Sequence, residues 1–73
     1  MAPKPVQLDL DVFHGSRREA TWQAAGDPKD FAWLQGQLRT WLAAKKWAER
    51  RWPEFELVAR PAGRGDKLAR VRA

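Results

Sequence analysis

The chain has no cysteine, tyrosine, isoleucine or asparagine, and only one histidine and one serine. Without thiols, neither a disulfide nor a thiolate-held metal can reinforce the fold, and a reducing compartment suits it. His14 and Ser16 leave too few groups to assemble an acid–base or nucleophilic constellation, so no enzyme is expected. Long apolar runs are missing as well. Nothing approaches the roughly 20 apolar residues of a membrane span, and "MAPKPVQLDL" lacks the apolar stretch and cleavage site of a secretory leader. These absences point to a soluble cytoplasmic protein with no cofactor and no metal.

What the chain does have is bulk and positive charge. Seventy-three residues make one small domain with a marginal core. Five tryptophans and three phenylalanines compensate, since each such ring buries about 150–250 Å² when enclosed. Abundant alanine and arginine beside the missing isoleucine and asparagine fit GC-rich coding, as in a high-GC bacterium or its phage. The net charge of +5 is uneven: residues 1–37 hold four cations and five anions, and residues 38–73 hold ten and four. That asymmetry favours a polyanionic partner such as nucleic acid, or an acidic protein or membrane surface.

Residues 1–5, with two prolines, read as a flexible N-terminal arm, leaving residues 6–73 as the folded unit. "VQLDLDVFH" alternates, with Val6, Leu8, Leu10 and Val12 on one side, the period-2 pattern of a half-buried strand. "HGSRR" is a turn, and a softer strand follows with Ala20, Trp22 and Ala24 on one side. In "GDPKDF", Asp27 suits an N-cap, Pro28 the first helical position and Asp30 the positive helix end. From there the pattern predicts a helix of about 25 residues, to about Trp52, where Pro53 stops it. "EFELVAR" resumes alternation, "PAGRGD" is a loop and "KLARVRA" a last strand. The expected fold is α+β in the order ββαββ, a single long helix packed on a small, mostly antiparallel sheet.

On a wheel of about 100° per residue, Phe31, Leu34, Leu38, Trp41, Leu42 and Trp52 share one sector, with Ala48 at its edge. They form the expected core stripe. Trp33 and Trp47 fall on the opposite side with Gly36, Thr40 and Ala44, a flat strip with tryptophan flanks. Such a face suits a homodimer or a partner-protein interface. Arg39, Lys46 and Arg50 line up as a basic stripe beside the core, whereas Lys45 falls inside the core sector.

The leading expectation is a small basic nucleic-acid-binding accessory or regulatory protein. Arg39, Lys46, Arg50, Arg60, Arg70 and Arg72 would contact phosphates, with Arg64 and Lys67 in the intervening loop, and Trp47 would stack on a base. The alternative is a protein-interaction module or inhibitor that binds a larger acidic partner through Trp33, Trp47 and the basic flank. Membrane-surface association ranks lower, because the apolar stripe of the helix is needed to cover the sheet. Asp9 and Asp11 share a strand face about 7 Å apart. They read better as outward polar residues, paired with Arg70 or Arg72, than as a metal site with His14. Arg64-Gly65-Asp66 reads as turn chemistry.

Overall fold

The computed structural model describes residues 6–61 and 69–73; the N-terminal arm and the "GRGD" loop lie outside them. Strand β1 spans Val6–His14 and β2 spans Arg17–Gly26, joined by a tight turn at Gly15 and Ser16. Gly15 adopts φ 65°, which the first central position of a two-residue hairpin turn requires. Pairing shifts between Val12 and Phe13, and Glu19 is the extra residue of the resulting bulge. Helix α1 covers Phe31–Ala44, a 3₁₀ segment covers Glu49–Glu54, and β3 (Phe55–Pro61) and β4 (Ala69–Arg72) complete the chain. The sheet is antiparallel throughout, in the order β2-β1-β3-β4, so the ββαββ α+β arrangement holds. No helix among the described residues is long and apolar enough to cross a membrane.

One face of the sheet meets the helix. Leu8, Leu10 and Val12 of β1, Phe55, Leu57 and Ala59 of β3, and Val71 of β4 enclose Leu34, Leu38 and Leu42 of α1. The four-residue spacing of these leucines makes a single stripe along α1. Ala20, Trp22 and Ala24 of β2 border this core as the alternation predicts. The opposite sheet face carries Asp9, Asp11 and Phe13 of β1, with Glu56, Val58 and Arg60 of β3 across from Phe13, Asp11 and Asp9 respectively.

The helix departs from expectation at both ends. At its start, Asp27 holds a turn rather than the helix: its carboxylate accepts from Lys29 N–H at 2.8 Å and its carbonyl from Asp30 N–H at 3.0 Å. Pro28 occupies the second position of that turn, which its fixed φ suits equally well. The cap is Asp30, whose side chain accepts from Trp33 N–H at 3.1 Å.

At its other end, α1 stops at Ala44 and does not continue to Trp52. Lys46 turns to φ 62°, its N–H donates to Ala43 O at 3.0 Å, and Trp47 N–H donates to Leu42 O at 3.0 Å. This pair of bonds is a Schellman stop, which satisfies carbonyls left over at a helix end. The stop also matches the helix to the strand beneath it. Fourteen helical residues span about 21 Å, close to the roughly 23 Å of seven-residue β3, whereas a helix reaching Trp52 would span about 33 Å and overrun β3 by about 10 Å. Two residues of the expected core stripe are placed differently. Phe31, in the first turn, is 57% exposed, and Trp52 packs from the 3₁₀ segment rather than from the helix.

Candidate nucleic-acid interface

Where α1 ends, the chain builds an aromatic block. Leaving the helix turns Trp47 inward, with its ring centroid 4.9 Å from that of Phe55 and 5.6 Å from that of His14. His14 itself stacks on Phe55 at 4.3 Å, and Trp41 tilts against Phe55 at 6.1 Å. Trp52 Nε1–H donates to Trp47 O at 2.9 Å, so the backbone of Trp47 is tied on both sides. Arg51 lies over the Trp47 ring at 5.1 Å and donates through Nε and Nη2 to Glu54, both at 3.3 Å. His14 Nε2 donates to Glu54 Oε1 at 2.8 Å. An ionised carboxylate only accepts, so the proton of that bond belongs to the imidazole. The His14 and Arg51 hydrogen bonds hold the Glu54 carboxyl below its ordinary value of 4.5.

Exposed cations lie in the same stretch of sequence. Arg39, Lys45, Lys46 and Arg50 are all solvent-facing, and none forms an ion pair with a described carboxylate. Arg39 lies about 9 Å along the helix axis from Lys45. Sequence reasoning missed Lys45, because a continuous helix turned it toward the sheet. The signal was present in "AAKKW": two small residues, then cations, then a tryptophan able to pack back as a helix-stop residue does.

Other predicted site residues are committed elsewhere. Arg60 Nη2 donates to Asp11 Oδ2 at 3.1 Å, and Asp11 is only 3% exposed. Arg70 and Arg72 reach the same Glu56 at 3.6 and 3.7 Å. Neither pairs with Asp9 or Asp11, because β3 stands between β4 and β1. Asp9 instead accepts from Gln23 at 2.9 Å. His14 packs on the helix side of the sheet, away from both aspartates, so these three side chains do not converge. Trp47, the expected base-stacker, is half-buried beneath Arg51.

The strip on the outer helix face survives without its flanks. Gly36, Thr40 and Ala44 are exposed, and a Cβ built on Gly36 would meet nothing within 4 Å. Trp33, however, folds over the end of β2, where a Cβ on Gly26 would collide with its six-membered ring. Trp47 has left the helix altogether. The two tryptophans therefore do not frame a common face. Comparison of the chain with protein-family models, with curated proteins and with solved structures finds no match.

Proposed function

We propose that this chain is a small nucleic-acid-binding accessory or regulatory protein that grips the phosphate backbone with Arg39, Lys45, Lys46 and Arg50. The observation that carries the reading is that these four exposed cations, gathered within twelve residues of sequence, have no carboxylate partner among the described residues, in contrast to Arg51 and Arg60, which have one. A phosphate contact needs a cation that can exchange water and counterions for an anion without first breaking an internal pair.

Lys46 adds a second line of support. A left-handed backbone costs a lysine about 1 kcal/mol or more, and glycine is the usual residue there. Strain of this kind at an exposed cation fits a side chain retained for contact rather than for stability. The grip reads backbone charge, not base edges, so it favours neither sequence nor a particular base.

The test is a titration of fluorescently labelled double- and single-stranded DNA and RNA at low and high salt. Micromolar affinity that collapses as salt rises supports the proposal. No binding at low salt rejects it.

A further inference from the structure

Among the described residues strand β4 pairs only with β3 and so forms one edge of the sheet. Beside it, the first turns of α1 leave an open groove of about 570 Å³ lined by Phe31, Ala32, Gln35, Arg70, Val71 and Arg72. We infer that this edge docks an extended acidic segment of a partner protein, which joins the sheet as a fifth strand. The inference goes beyond the phosphate grip and uses none of its residues.

Three observations carry it. The first is the exposed ring. Phe31 is 57% exposed, and together with Ala32 and Val71 it gives the groove an apolar wall. The second is an amide already on the edge. Gln35 Nε2 donates to Arg72 O at 3.0 Å, the bond that a backbone N–H of an added strand would make. The third is charge. Arg70 and Arg72 share the single carboxylate of Glu56, and their side chains remain 65% and 70% exposed. Two guanidinium groups facing one carboxylate leave a positive excess along the edge.

That charge also selects among occupants. A second copy adding antiparallel through β4 would set Arg70 and Arg72 against themselves, and like charges directly opposite destabilise a sheet. A segment of alternating acidic and apolar residues fits instead. Its carboxylates share a face with Arg70 and Arg72, and its apolar side chains point toward Phe31 and Val71. Recognition therefore needs both halves of the pattern.

The experiment uses the full chain and a fluorescently labelled, acetylated peptide of three Glu-Val repeats, read by anisotropy. Binding is expected to weaken at least tenfold with Phe31→Ala and with the Arg70→Glu/Arg72→Glu pair. Arg39→Ala/Lys46→Ala should change it less than twofold, which separates this site from the phosphate grip. Amide exchange on the unaltered protein should slow at Arg70 or Arg72 when the peptide is added, a readout independent of any variant's folding. Equal binding by a hexaglutamate peptide would overturn the inference, as would no binding up to millimolar peptide. So would a solution dimer dissociated by Phe31→Ala, because the edge would then belong to a second copy.

Discussion

Trp47 N–H donates to Leu42 O across five residues, a bond that a continuing α-helix does not make. The residue between this bond and the helix proper is Lys46, at φ 62°. One local event thus ends the helix, buries an indole against Phe55 and turns two lysines outward. Stability and charge display meet at this point of the chain, and they pull in opposite directions.

Lys46→Gly separates them. Glycine takes the left-handed conformation freely, so the variant should gain about 1 kcal/mol in stability. It should also lose affinity for nucleic acid, because one phosphate contact is gone. Chemical denaturation and a binding titration on the same sample check both. A variant that is stabilised with affinity unchanged would remove Lys46 from the interface.

Arg60 should behave in the opposite way. Removing its guanidinium leaves the Asp11 carboxylate buried without its cation, and Arg60→Ala should cost about 1–3 kcal/mol. Binding to DNA or RNA by the folded variant should stay within twofold of the parent. Urea denaturation gives the first quantity and anisotropy the second.

Acid should loosen the aromatic block through Glu54. Its carboxyl is held below 4.5 first by the His14 hydrogen bond and then by Arg51, so the folded state favours the ionised form. A depressed carboxylate contributes stability that is complete above its ordinary value and lost as pH falls through its folded-state value. The stability difference between the parent and Glu54→Gln should therefore be largest near neutrality and shrink below about pH 4.5. Denaturation midpoints from pH 2 to 7 follow it. A difference that stayed constant over that range would contradict the linkage.

Much of the fold was legible, for a physical reason. Alternation in β1 and β3 and the Leu34, Leu38, Leu42 stripe each report a surface that must face the core, and the sheet–helix layering follows from them. The helix end was not legible by the same means. Residues 45–52 keep a helical polarity pattern, but the stop is decided by Trp47 packing on Phe55 and His14, which are distant in sequence. Periodicity carries no information about such contacts. The error then spread to the site, since the angular position of every residue after Ala44 depended on a helix that had ended. Arg39 lies before the break and kept its predicted exposed place on the helix. Trp33 was missed differently: a ring on the outer side of a wheel can still fold over a glycine at the end of a neighbouring strand.

The most direct test of the phosphate grip is the salt dependence of binding to duplex DNA, compared between the parent and an Arg39→Ala/Lys46→Ala/Arg50→Ala triple variant. Each lost phosphate contact lowers the slope of log K against log salt by about 0.9. The triple variant should therefore bind more weakly at low salt, with a slope shallower by roughly 2 to 3. Equal slopes for parent and variant, both folded, would contradict the account and move the nucleic-acid contacts away from the helix end.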